Sequence, residues 1–157
     1  MRKLLITIVS VLFLSHSIYC DDTDTAKLIQ ELPTSYELNQ AKKLLANPAD
    51  FSRYEDKSTR LSNDGKKRLL SKAKNDIQKA KLIIPQLKGI IKVGKSIFNY
   101  PGLITKGRIS YDSDTEEYRL YIGVYLLDHE GKEPYDLNIV FASNGIIKSV
   151  KNVIWKR

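Results

Sequence analysis

The strongest pattern along the chain is an alternation of apolar and polar positions between Glu117 and Leu127. Apolar or aromatic side chains occupy every second position, namely Tyr118, Leu120, Ile122, Val124 and Leu126. The positions between them are Arg119, Tyr121, Gly123 and Tyr125. A period of two is typical of a β-strand with one buried face, so this stretch predicts the central strand of a sheet.

Turn sequences on both sides predict that this strand belongs to an antiparallel meander over 103–156. The turns are expected at 112–115, 128–132 and 143–145, and they separate four strand candidates. The last turn contains Asn144-Gly145, a pair that readily adopts positive φ in hairpins. In the final strand the apolar positions change parity, which predicts a β-bulge near Lys151.

Helical spacing replaces alternation in the first half of the chain. A short helix is predicted before Pro33, and Thr34-Ser35-Tyr36-Glu37 fits a capping box that starts a second helix. Within 61–85 the apolar residues lie three or four positions apart, which predicts a long amphipathic helix that ends at Pro85. These stripe residues are Leu69, Ala73, Ile77, Ala80 and Ile84.

Helices followed by strands predict the α+β class. We expect N-terminal helices, including the long basic one, to pack on one face of a four-stranded antiparallel C-terminal meander. The stripe that begins with Leu69 and Ala73 would then lie on the sheet face that carries Leu120. Residues 21–157 are expected to form a single domain, in which 21–60 is a helical lead-in.

Residues 1–20 have the layout of a secretory signal peptide. Two cationic residues precede an apolar run from Leu4 to Leu14, and small polar residues follow it. This largely apolar run of eleven residues is too short to span a bilayer, so the mature chain is expected to be exported, periplasmic or secreted, without a transmembrane span. Lipidation at Cys20 is an alternative, although the bulky Tyr19 departs from the small residue that usually precedes a lipidated cysteine.

The composition favours a globular protein without a metal or cofactor. Hydrophobic residues make up 42% of the chain and charged residues 28%. Cleavage of the leader is expected after Ser17 or after Cys20, and no cysteine follows Cys20. If the cut falls at Cys20 or later, the mature chain has no disulfide and no thiolate metal site. The only histidine beyond the leader, His129, lies in a polar turn and cannot by itself make a typical zinc site.

Charge is distributed unevenly along the chain. Residues 57–95 contain twelve Lys or Arg and two acids, a net charge of +10, whereas residues 101–147 carry −4. This asymmetry predicts an anionic partner, lipid or glycan, unless the charge only solvates a helix face. Nucleic acid is disfavoured because the basic run lacks aromatic residues for base stacking. The binding candidates are Lys66, Lys67, Arg68, Lys72, Lys74, Lys79 and Lys81.

Arg119, Tyr121 and Tyr125 form a second candidate surface, because they share one face of the predicted central strand. Tyrosine combines an apolar ring with a polar tip and suits recognition surfaces. The alternative is that the N-terminal helices cover this face.

Two short motifs resemble ligand-binding loops. Gly89–Ser96 matches the phosphate-loop pattern G-x-x-x-x-G-K-S, but Pro101-Gly102 leaves no room for the helix that such a loop requires. We therefore expect a turn whose apolar flanks are buried. Asp112–Glu117 resembles the start of a calcium loop but lacks its glycine at the sixth position, so an acidic hairpin turn is expected.

The function that these patterns favour is an exported, non-enzymatic binding or interaction domain that engages an unknown protein or an anionic surface through its basic helix. One alternative is a small extracytoplasmic hydrolase, which would need two carboxylates at catalytic separation in a pocket. Another is a carrier of a small apolar ligand, which would need a cavity between helix and sheet.

Overall fold

The computed structural model describes residues 22–49, 51, 61–123 and 136–152. Three helices come first, α1 (Asp22–Glu31), α2 (Ser35–Ala46) and α3 (Asn63–Ile90), followed by a 3-10 turn at Ile97–Asn99 and a short helix, α4 (Leu103–Lys106). The four strands are β1 (Arg108–Asp112), β2 (Glu117–Ile122), β3 (Leu137–Ala142) and β4 (Ile147–Asn152). The predicted α+β class is confirmed. The leader, Tyr125 and His129 lie outside the described residues.

The sheet is an antiparallel meander in the order β1-β2-β3-β4. On its core face, Leu120 lies opposite Ile109 of β1 and Ile139 of β3. The alternation predicted for β2 is present, because Leu120 and Ile122 are buried while Arg119 and Tyr121 are only half-buried. The same period of two buries Leu137, Ile139 and Phe141 on β3.

The change of parity in β4 occurs at Lys148 rather than at the predicted Lys151. Val140 lies opposite Ser149, whereas the next residue, Phe141, lies opposite Ile147. The extra residue between these pairs is Lys148. Its insertion allows both Ile147 and Val150 to face the core although they are an odd number of positions apart.

The predicted capping box at the start of α2 is present. The Thr34 hydroxyl accepts a hydrogen bond from the Glu37 backbone N–H at 3.2 Å, and a carboxylate oxygen of Glu37 accepts from the Thr34 N–H at 2.9 Å. Ser35, the next residue, accepts from the Gly123 N–H at 3.1 Å. The start of α2 is therefore attached to the end of β2.

Helix α3 does not end at Pro85 as predicted but continues to Ile90. A proline inside a helix costs about 3 kcal/mol, because it lacks the N–H and crowds the preceding turn. The residues around it offset that cost, since Ile84 and Leu87 are completely buried and each contributes about 2 kcal/mol. Pro85 itself lies on the exposed side. Core packing therefore outweighs the local signal.

The two halves of α3 have different partners. Leu69 and Ala73 pack in a small cluster with Ala41 and Leu44 of α2, so the prediction that they lie on the sheet is wrong. The second half of α3 faces the sheet instead, within a main core that also contains residues from α1, α2 and α4. The residues of α3 in this core are Ala80, Ile83, Ile84 and Leu87.

The segment predicted as a strand from residue 103 begins with α4, and β1 starts only at Arg108. Pro101-Gly102 forms a turn, and Gly102 has a φ of 79°, which favours glycine. This turn places Leu103 in the main core, where it is fully buried. A strand that started at residue 103 would not place Leu103 in the core in this way.

Candidate functional site

The exposed side of α3 carries two rows of cations. Successive residues of an α-helix are rotated by about 100°, so residues seven apart lie on nearly the same side. Lys67, Lys74 and Lys81 have this spacing and form one row. Arg68, Lys72 and Lys79 form a second row on the other side of the exposed surface.

Lys66 and Lys72 of the predicted set make contacts within the protein. The Lys66 ammonium lies 5.2 Å from the centre of the Phe51 ring. The Lys72 Nζ lies 2.6 Å from a carboxylate oxygen of Asp76 and 3.7 Å from one of Glu37. The hydrogen bond with Asp76 is the main cause that raises the pKa of Lys72, against the opposing effect of desolvation. These two lysines attach α3 to its surroundings.

Four other cations of the predicted set are exposed and have no acidic partner within the described part of the chain, namely Lys67, Arg68, Lys74 and Lys79. Lys81 is also exposed. Within α3 the acid on the exposed side is Asp64, in the first turn of the helix. The helix therefore presents a surface whose positive charge is not neutralised by its own side chains.

The structure separates the predicted sheet residues from α3. Arg119 and Tyr121 lie on the face opposite Leu120, whereas α1, α2 and α3 pack on the Leu120 face. The interpretation that these helices cover Arg119 and Tyr121 is therefore wrong. Tyr125 lies outside the described residues, so this surface is only partly described.

Arg119 has a partner in the acidic hairpin turn. Its Nη2 lies 2.5 Å from Asp112 Oδ2, and Asp112 Oδ1 accepts from the backbone N–H groups of Asp114 and Thr115. Desolvation opposes ionisation of Asp112, but the two N–H groups and Arg119 together hold its pKa below the ordinary value. Asp112 thus closes a hairpin turn, as the sequence predicts. No group of three metal-ligating side chains occurs among the residues described.

The phosphate-loop motif is also a turn with buried flanks. Ile91 and Ile97 are buried, as expected. The Lys92 N–H donates to the Tyr100 hydroxyl at 2.9 Å, and the Gly94 N–H donates to the Ile147 carbonyl at 2.8 Å. A phosphate cradle requires such N–H groups to point at the ligand. Here the Gly94 N–H holds the segment against β4, and the Lys92 N–H is bonded to Tyr100.

Sequence reasoning missed an exposed apolar patch beside this motif. Val93, Phe98 and Ile146 are exposed by 62%, 68% and 38% of their surface, and we call these three residues the apolar tip. The sequence contains no signal for the apolar patch itself, but it does show that the chain around Val93 and Phe98 is basic. Residues 77–111 include seven Lys or Arg and no acid, so the basic character extends well beyond the long helix.

Glu37 and Asp76 are the acids that Lys72 brings together. The backbone N–H of Thr34, above all, lowers the pKa of Glu37, against the opposing effect of desolvation. A carboxylic acid that donates a proton in glycoside hydrolysis instead needs a raised pKa. This pair is therefore suited to joining α2 and α3 rather than to acid catalysis.

No protein-family profile, curated protein or solved structure matches the chain. No helix among the described residues has the length and apolar character needed to cross a bilayer. The cationic side of α3 and the apolar tip are the features from which a function can be argued.

Proposed function

We propose that the protein is an exported, non-enzymatic binding domain that engages an anionic surface through α3. Export is inferred from the leader at residues 1–20, which has the order of charged, apolar and small polar residues found in signal peptides. Binding is inferred from the exposed cations of the helix. The partner would be a lipid surface or a glycan, both of which carry dense negative charge outside the cytoplasm.

The observation that carries this proposal is the contrast between paired and unpaired cations on one helix. Lys72 is neutralised by Asp76 and Glu37, so the fold uses acids where it needs to fix a lysine. Lys67 and Lys74, two turns apart on the same side, have no such acids among the described residues. Like charges repel, so a neutral helix face would be more stable. An anionic partner would supply the missing counter-charge.

The test is binding of the mature protein to heparin and to vesicles containing phosphatidylglycerol, over a series of salt concentrations. We expect binding that weakens steeply with salt, because exposed charges are screened beyond about 8 Å at physiological ionic strength. A variant with Lys67→Glu, Lys74→Glu and Lys79→Glu should bind about a hundredfold more weakly, since each lysine near an anionic surface contributes about 1 kcal/mol.

The matched control carries Lys27→Glu, Lys43→Glu and Lys151→Glu. These lysines are exposed on α1, α2 and β4, so the control changes net charge equally while leaving α3 intact. Circular dichroism verifies that both variants are folded. Equal losses in the two variants would mean that only total charge matters, and no binding by the wild type would reject the proposal.

A further inference from the structure

The apolar tip lies where two chain segments run side by side. The Ile97 N–H donates to the Gly145 carbonyl at 2.8 Å, and the Ile147 N–H donates to the Lys95 carbonyl at 2.9 Å. Ser96 and Ile146 form an antiparallel bridge between these bonds. The segment from Val93 to Phe98 is thus attached to the β3–β4 hairpin. The tip is a fixed feature of the fold at the edge of the sheet.

The pairing of these segments decides which side chains face outward. Ile97 and Ile147 point into the main core and are almost completely buried. Ile146 is paired with Ser96 and remains exposed, and the Phe98 ring lies over Gly145. A β-carbon at Gly145 would come within 2.7 Å of that ring, so this glycine makes room for it. Gly145 also has a φ of 83°, as the hairpin turn requires.

Three exposed lysines lie close to the apolar tip in sequence, namely Lys88, Lys92 and Lys95. Lys88 lies in the last turn of α3, Lys92 follows the helix, and Lys95 lies between Val93 and Phe98 in sequence. The Lys92 Nζ donates to the Gly89 carbonyl at the end of the helix. Residues 77–111 contain no acid. Apolar side chains that point outward among lysines match the chemistry of an anionic bilayer, with an apolar interior beneath charged headgroups.

Among the described residues, the acids at this end of the sheet lie in or beside the β1–β2 turn. Glu117 is paired with Lys148 at 2.7 Å, and Asp112 is paired with Arg119. Asp114 and Glu116 remain, on the turn between the two strands farthest from β4. β3 lies between that turn and β4, the strand next to which the tip lies.

We propose that the apolar tip inserts into the interface of an anionic lipid bilayer while Lys88, Lys92 and Lys95 contact the headgroups. This inference rests on the proposed function and names its partner as lipid rather than glycan. The cations of α3 supply long-range attraction. Val93, Phe98 and Ile146 supply a short-range contribution that salt does not screen.

Insertion is tested with a tryptophan at the tip. Phe98→Trp is made with Trp155 replaced by phenylalanine, and its fluorescence is recorded with phosphatidylcholine vesicles, with and without phosphatidylglycerol. We expect a blue shift, and quenching by brominated lipid, only with the anionic vesicles. Tyr36→Trp in the same background is the control, because Tyr36 is 73% exposed on α2, away from the tip. It should show neither change.

Affinity supplies the second readout. Phe98→Ser should weaken vesicle binding about tenfold, since burying a phenylalanine is worth at least that factor. It should leave heparin binding unchanged, because heparin has no apolar interior. Val93→Ser is made as well, since Val93 is exposed and its replacement does not disturb the contact with Gly145. Tyr36→Ser is the matched control and should bind vesicles like the wild type.

The outcomes separate the two proposals. A blue shift at residue 98 together with a selective loss in Phe98→Ser and Val93→Ser supports insertion. Salt-sensitive vesicle binding without a blue shift overturns insertion and leaves the electrostatic function standing. Binding to heparin but not to vesicles overturns the lipid partner, with the glycan as the remaining anionic surface. Binding to neither probe overturns both.

Discussion

The Glu37 carboxylate takes part both in the cap of α2 and in the contact between α2 and α3. One oxygen accepts from the Thr34 N–H and closes the capping box, and the other lies 3.7 Å from Lys72 on α3. The Thr34 N–H is the main cause that holds the pKa of Glu37 below its ordinary value, with Lys72 adding to it. A lowered carboxylate pKa means that ionisation stabilises the folded state.

Glu37→Gln therefore has a pH-dependent cost. Glutamine can still accept the Thr34 hydrogen bond, but it lacks the charge that interacts with the helix N-terminus and Lys72. At pH 7 we expect a loss of about 0.5 kcal/mol in the free energy of unfolding, a small value because the side chain is well exposed. The contribution is complete above the unfolded pKa, about 4.3, and disappears as the pH falls through the lower folded pKa.

Urea unfolding of the wild type and of Glu37→Gln at pH 7 and at pH 3 measures this pH-dependent loss in the free energy of unfolding. The difference between the two proteins should narrow at the lower pH. Glu31→Gln on α1 is the control, because Glu31 is exposed and has no ion pair among the described residues. A difference for Glu37→Gln that stays constant across pH would show that the carboxylate charge does not act as described.

Replacing glycine by alanine should have opposite effects on the stability of the fold at two positions, Gly107 and Gly89. At Gly107, a β-carbon would lie against the Tyr121 carbonyl oxygen and within 2.7 Å of a Leu120 methyl carbon. Gly107→Ala should therefore destabilise the fold by about 2 kcal/mol or more through overpacking. Gly89 lies in α3 with no atom within 4 Å of the position that a β-carbon would take, so Gly89→Ala should stabilise by about 0.5–1 kcal/mol. Thermal unfolding of both variants checks whether each substitution raises or lowers stability. A Gly107→Ala variant as stable as the wild type would contradict the close contact of this position with Tyr121 and Leu120.

At the scale of elements, α3 is one helix with two environments. Its first half packs on α2 through Leu69 and Ala73, and its second half enters the main core through Ile84 and Leu87. Ile77 contacts both clusters. The helix therefore connects the helical part of the molecule to the sheet, and its cations run along both regions.

This division predicts unequal costs for truncating the two halves. Ile84→Ala removes a fully buried side chain and should cost about 3–4 kcal/mol in the free energy of unfolding. Leu69→Ala removes a partly buried side chain from the small cluster and should cost about 1–2 kcal/mol. Equilibrium urea unfolding gives both values on the same scale. The packing described here would be contradicted if Leu69→Ala proved the more damaging change.

At the scale of the whole molecule, charge is segregated between elements. Among the described residues, exposed cations are concentrated on α3 and on the segment that follows it, whereas Asp114 and Glu116 lie on the β1–β2 turn, at the opposite edge of the sheet from β4. Within that turn, Asp112 is held by Arg119 and backbone N–H groups. Such separation orients a protein in front of an anionic surface, which supports both proposals.

Much of the fold follows from short-range patterns. The capping box at Thr34, the alternation in β2 and the turns at Asp112 and Asn144-Gly145 all depend on residues close in sequence, and all are present as predicted. The end of α3 differs from the prediction because Pro85 is a strong local signal that burial of its neighbours overrides. The sequence identifies the candidate cations, but it does not show which of them are neutralised.

The amino-acid pattern alone was sufficient for the α+β class, the basic long helix and the expectation of an anionic partner, because helix caps, strand alternation and net charge are local or additive properties. Three features depended on folding. Lys72 meets Glu37, the second half of α3 meets the sheet, and Phe98 meets Gly145. Each joins residues that are far apart along the chain, so no local spacing encodes it.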